Sequence, residues 1–143
     1  MREKKQRGAA VVEFAVIVPL LLVIVFGIIE FSILLFDKAM ITNASREGAR
    51  AGIVYMGPGE PRVPDGDITD VVENYCEEHL ISFGAGSTLN TVISRTGNAS
   101  GDTLTVIVEY PFRFLVFSNL LGLFGGGIAD VLNLSAVTVM RLE

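Results

Sequence analysis

Cysteine is almost missing from this 143-residue chain. Cys76 stands alone, so no internal disulfide can form and no cysteine cluster can hold a metal. A disulfide-stapled secreted fold is excluded, while export itself stays open. Histidine is equally scarce: His79 has no Cys or His company at metal spacing and reads as a partly exposed helix-end residue. HExxH, CxxC, GxSxG and phosphate-loop motifs do not occur, and "GAG" at Gly84–Gly86 is too short for a phosphate loop and reads as a turn. Asp65, Asp67 and Asp70 lack the ligand spacing of a calcium loop; helix capping and dipole complementarity account for them. The Asn-x-Ser triplets at Asn43, Asn98 and Asn133 are expected by chance and matter only on a eukaryotic secretory route. No catalytic residue, metal or cofactor is expected, and the chain is not expected to be an enzyme.

Positive charge is outnumbered in the body of the chain. The net charge is −5, yet the first seven residues hold Arg2, Lys4, Lys5 and Arg7 against Glu3 alone. A basic head on an acidic body excludes a nucleic-acid partner, which needs its basic face on the folded part.

Apolar residues are plentiful and unevenly placed. Half the chain is hydrophobic, with a mean hydropathy of +0.53. Between Ala9 and Phe36 the only polar side chains are Glu13, Glu30 and Ser32, and Phe14 to Ile29 carry no charge. A helix crosses the hydrocarbon core with about 20 predominantly apolar residues at roughly 1.5 Å each. No polar face interrupts Val16 to Ile29, as a soluble core helix would require, so a transmembrane helix is expected over 9–36. The run is longer than a cleaved secretory signal, contains a carboxylate and lacks a clean small-x-small site. The denser basic flank lies before Gly8, which keeps the N-terminus cytoplasmic and the remainder outside. In a bacterium that is the periplasmic side of the inner membrane. Pro19 removes one helical hydrogen bond and predicts a mild kink. Gly27 either lets another backbone approach closely or is ordinary membrane-helix composition.

Glu13 lies inside this span, where an ionisable group costs about 2.5–3.5 kcal/mol on insertion scales. Its helical neighbours at three and four residues are Ala9, Ala10, Val16 and Ile17, none of them basic. A partner must come from elsewhere, or the carboxylate snorkels to the inner interface. Glu30 falls roughly 32 Å of helix beyond Ala9 and is expected to be a solvated residue at the outer end of the span.

A basic leader, then Gly8, with Glu13 and Phe14 behind it, resembles the prepilin-peptidase signal of type IV-like pilins. The run "RGAAVVEFAVIVPLLLVIVFGIIEF", the stretch "NASREGARAG" at Asn43–Gly52 and the ending "VTVMRLE" resemble the TadE-like family of minor pilin-like proteins of the Tad/Flp pilus system. The resemblance is strongest over residues 7–52. It implies cleavage between Gly8 and Ala9, with the new Ala9 amine of one subunit pairing with the Glu13 carboxylate of a neighbour. A half-buried pair of this kind sets axial register more than it adds stability. Phe14 stands where Flp pilins usually have Tyr, so a phenolic hydrogen bond is absent. The large soluble body argues for a minor rather than the major subunit. The implied partners are the inner membrane, a prepilin peptidase, the major Flp pilin, other minor pilin-like subunits and the pilus assembly platform.

Beyond the membrane, Ala44, Gly48 and Gly52 form a small-xxx-small row within a helical pattern running from Asp37 to Tyr55. This predicts one long helix whose outer half packs on the body through Gly48 and Gly52, with Arg46 and Arg50 on another face. "MGPGEPRVPDG", Met56–Gly66, is loop. A second helix is expected from an Asp67 N-cap, with Ile68, Val71, Val72, Tyr75 and His79 on one face. Strands are expected at 88–94, 103–110 and 131–143, the first two joined as a hairpin through Arg95–Asp102. Leu104, Val106, Val108 and Tyr110 should share a face. Residues 111–127 read as an apolar connection, partly helical and open to contact with membrane or partner, but too broken for a second span.

The expected architecture is α+β and pilin-like: a leader over 1–8, a transmembrane helix over 9–36, its extension over 37–55 and a periplasmic domain over 56–143. The expected role is that of a minor pilin or pseudopilin in Tad/Flp pilus assembly. The alternative is an uncleaved single-pass protein whose periplasmic domain is a binding module for an envelope assembly.

Overall fold

Helix α1, Arg2–Gly52, is one continuous helix that passes through Pro19. The computed structural model describes residues 2–57, 62–82, 88–116, 119, 122 and 131–142. Then come α2, Asp65–His79, and three strands: β1, Asn90–Arg95; β2, Thr103–Arg113; β3, Val131–Arg141. The strands form one antiparallel meander in the order β1-β2-β3. A long apolar helix, a second helix and a three-stranded antiparallel sheet make the α+β class read from the sequence. By internal contacts the chain divides into two units, Met1–Ser32 with Phe114–Asp130 and Ile33–Arg113 with Val131–Glu143.

In the second unit the alternation along β2 sends Leu104, Val106, Val108, Tyr110 and Phe112 into the core, where all are buried. Leu134 and Ala136 of β3 join them. The second half of α1 adds Ile41, Ala44 and Ala49, and α2 adds Ile68, Val72 and Cys76. The turn between β1 and β2 is closed by Asp102, whose carboxylate accepts the Ala99 N–H at 2.8 Å, and Gly101 takes a positive φ of 93° there.

Several boundaries differ from the sequence reading. α1 ends at Gly52, short of Tyr55, ahead of the Gly/Pro-rich stretch. α2 starts at Asp65, and the residue before it, Pro64, makes no side-chain cap. Asp67 is therefore in the first turn, where its charge complements the helix dipole without capping. The buried face of α2 is Ile68, Val72 and Cys76, a strict i, i+4 row; His79 is exposed and stacks on Tyr75 with centroids 4.4 Å apart. β1 begins at Asn90 rather than Thr88. β2 runs on through Pro111 and Phe112, which the sequence reading gave to the connection. β1 pairs only as far as Glu109, so among the described residues Pro111 sits where β2 has β3 as its single neighbour and a missing N–H is tolerated. The turn at Gly84–Gly86 and most of the connection after Val116 lie outside the described residues.

Candidate functional site

The residues singled out on the sequence fall on α1, and its two halves treat them differently. In the first half Gly8 has no heavy atom within 4 Å of the position a Cβ would take. Ala9, Ala10 and Glu13 are exposed, and Phe14 is 67% exposed. Among the described residues Glu13 has neither a hydrogen-bond nor an ion-pair partner. On a helix Ala9 and Glu13 lie on one face, a turn apart. Val11, Val12, Val16, Ile17, Leu20 and Ile24 are all more than half exposed, so this stretch presents large apolar side chains at its surface. Among the described residues α1 is the one helix long and apolar enough to cross a membrane, which makes it the candidate anchor. Gly27 lines a cleft of ≈ 490 Å³ together with Val23, Ile24, Ile28, Glu30, Phe31 and Phe114.

In the second half the small residues are packed. A Cβ built on Gly48 would stand 2.5 Å from Val72 Cγ2, and one on Gly52 would stand 2.6 Å from Ile68 Cδ1 and closer still to Leu104 Cδ2. Side chains of α2 and β2 therefore fill the space beside α1 that a Cβ would take at these two positions, and would have to shift to admit one. Ser45 is fully buried; its hydroxyl donates to the Thr42 carbonyl and bonds the Thr138 hydroxyl at 2.7 Å. Arg50 lies outside this packing and pairs with Glu47 at 2.7 Å on the surface, holding the Glu47 carboxyl below its usual range.

Two carboxylates escaped the sequence reading. Glu30 is not a solvated end-of-span residue: it is 7% exposed, and one of its oxygens accepts the backbone N–H groups of both Leu115 (2.8 Å) and Val116 (2.5 Å). Asp37 is fully buried and accepts the Ile81 N–H at 3.0 Å. Its other oxygen, Oδ2, is buried without a partner among the described residues. Desolvation pushes the Asp37 carboxyl above its ordinary pKa of 3.8, with the Ile81 bond opposing. A signal for both was available. Like Glu13, neither has a basic residue three or four positions away, so each needed a partner distant in sequence.

The remaining chemistry-bearing groups are structural. Burial first, and then Glu73, raise the Cys76 thiol to about 11, so it stays protonated and behaves as a small core residue. Arg95 bonds the Val63 carbonyl at 2.7 Å and Asp65 at 2.9 Å, tying β1 to the start of α2. Among the described residues no three metal-ligating side chains converge.

Residues 8–50 match the family model described as TadE-like protein, the family read from the motifs. The match covers Gly8, Ala9, Glu13, Phe14, Pro19, Gly27 and Gly48 and stops just before Gly52. No curated protein and no solved structure matches the chain. The match supports a Tad-pilus-related, minor pilin-like protein associated with a membrane.

Proposed function

We propose that this chain is a minor pilin-like subunit of a Tad/Flp pilus assembly system, cut after Gly8 by a prepilin peptidase and docked among other subunits through α1. The observation that carries the reading is a coincidence over one segment. The TadE-like match begins on the exposed apolar half of α1, whose first carboxylate, Glu13, has no partner among the described residues.

Cleavage would change the status of that carboxylate. In the uncut chain Glu13 stands well inside a helix that begins at Arg2, remote from any free backbone N–H. Once the chain starts at Ala9, Glu13 falls at the end of the first turn, where unsatisfied N–H groups and the helix dipole favour negative charge. The new ammonium at Ala9 supplies a full positive charge at the membrane interface. A neighbouring subunit's Ala9 amine paired with Glu13 would offset the desolvation of both groups and fix the axial register of two helices. Gly8 suits the cut because nothing packs on it and glycine leaves a helix at low cost.

In this reading the N-terminus faces the cytoplasm, and the body sits on the periplasmic side of the inner membrane. The partners are the prepilin peptidase, the major Flp pilin, other minor pilin-like subunits and the assembly platform. The chain itself has no catalytic role; it docks.

N-terminal analysis of the protein from cells holding the cognate peptidase is expected to begin at Ala9, and an intact leader there would remove the processing step. Glu13→Ala should still be cut and inserted but fail to support pilus formation. Full pilus formation by Glu13→Ala would favour the uncleaved anchor with a periplasmic binding module instead.

A further inference from the structure

We propose that Glu30 pins the segment leaving β2 to the outer end of the membrane helix, so that Phe114, Leu115 and Val116 lie in the lipid interface. The inference rests on α1 spanning a membrane, and it concerns a part of the chain that processing and docking do not use.

The first observation is the pin. Two consecutive backbone donors, Leu115 N and Val116 N, converge on one oxygen of a carboxylate that is almost wholly buried. Charge-assisted bonds of this kind are the stronger ones, and they spend both donors on α1 rather than on water. That is the condition for placing non-helical backbone near hydrocarbon, where no water is at hand to satisfy a free N–H.

The second observation is what the pin leaves outside. Leu115 is 51% exposed although its backbone is fixed. On α1 the residues around Glu30 are just as bare: Ile28 is 63% exposed, Ile29 48% and Phe31 59%. If lipid covers those side chains, then a segment bonded to Glu30 stands at the same depth and shares their surroundings. Ser32 fits that depth too, since its hydroxyl is returned to the Ile28 carbonyl at 2.7 Å and asks nothing of water. The cleft that Phe114 helps to line is apolar apart from Glu30, a match for an acyl chain rather than for a polar ligand. Arg113, the residue before Phe114, is exposed and provides the cation that commonly flanks an interfacial apolar stretch. The occupant of this surface is therefore the bilayer itself, continuous with the lipid around the span.

The chain has no tryptophan, so a single introduced indole reports its own depth. The full chain carrying Leu115→Trp, reconstituted in phosphatidylcholine–phosphatidylglycerol vesicles, should give blue-shifted emission. Lipids brominated near the glycerol end of the acyl chain should quench it strongly, and aqueous acrylamide weakly. Adding Glu30→Ala should shift emission to the red and raise acrylamide quenching, with Glu30→Gln, a neutral acceptor, falling between. Leu21→Trp, quenched by bromines deep in the bilayer, checks the span separately. Acrylamide-quenched Trp at position 115 beside a lipid-quenched Trp at 21 overturns this inference and leaves the span intact. Protection of position 115 from both quenchers also overturns it, because protein rather than lipid would then be the cover. An indole at 21 that bromolipid leaves unquenched removes the span and the inference together. Emission unchanged by both Glu30 variants removes the pin.

Discussion

The two halves of α1 belong to one continuous helix and treat their side chains in opposite ways. Before Ser32 most apolar side chains are exposed, a Cβ at Gly8 would meet open space, and a carboxylate, Glu13, has no partner among the described residues. After it, Ile41, Ala44 and Ala49 are buried, Gly48 and Gly52 are in tight contact, and a carboxylate, Asp37, is bonded to backbone. Hydrophobicity is the first difference: between Ala9 and Phe36 only Glu13, Glu30 and Ser32 are polar, whereas Asp37, Lys38, Arg46, Glu47 and Arg50 follow on the second half. Residue size and distant partners separate them further: bulky Val, Ile, Leu and Phe where lipid is the expected neighbour, and a spaced row of small residues where protein packs.

The largest test of that difference is truncation of matched leucines. Leu104→Ala, at a fully buried position against Gly52, should destabilise the full chain by about 2–5 kcal/mol, because a cavity is added to the lost transfer energy. Leu20→Ala, 60% exposed, leaves no cavity and should not change thermal unfolding followed by circular dichroism of the protein in detergent. Equal losses at both sites would mean that the first half of α1 also packs against its own chain.

A smaller effect comes from adding a single methyl group. Gly52→Ala forces its Cβ onto Ile68 and Leu104 and should cost about 1–3 kcal/mol as overpacking, partly offset by the better helix propensity of alanine. Gly8→Ala meets open space and should leave unfolding unchanged, so any defect it causes would appear in processing instead. A stabilised Gly52→Ala would show that Ile68 and Leu104 can move aside, and would remove the close approach as the reason for glycine there.

Much of this contrast was legible in the sequence. The long apolar helix, the α+β class, the inward face of β2 and the Ala44–Gly48–Gly52 row all follow from periodicity and residue size. Boundaries were harder, since Pro111 reads as a strand stop unless one knows that β1 ends its pairing at Glu109. Cys76 was set aside for want of a chemical partner, whereas its place was fixed by the i, i+4 row with Ile68 and Val72. For the acids the deciding information was non-local. Glu30 and Asp37 are bonded to backbone groups 85 and 44 residues away, and a backbone donor has no side-chain signature in sequence. Position along the helix therefore misplaced Glu30 as solvated.

Asp37 gives the subtlest prediction, and its sign is opposite to the usual acidic case. Most carboxylates in folded proteins have lowered pKa values and cost stability when acid protonates them. Burial raises the Asp37 carboxyl, so between the ordinary value of 3.8 and its folded value the native state binds a proton that the unfolded chain does not. Its contribution to stability is fully present below 3.8 and is lost as pH rises through the folded value. Protonation also suits the geometry, since one oxygen keeps the Ile81 N–H and the charge is removed from an Oδ2 without a bond. Asp37→Asn, which carries no charge at any pH, removes only this titration. The stability of the wild-type chain relative to Asp37→Asn should therefore rise as pH falls from neutral toward 3.8, read as the difference between their Tm values at each pH. A difference that stays flat would show that Asp37 is solvated in the folded protein. A difference that falls with acid would make Asp37 an ordinary ion-paired carboxylate.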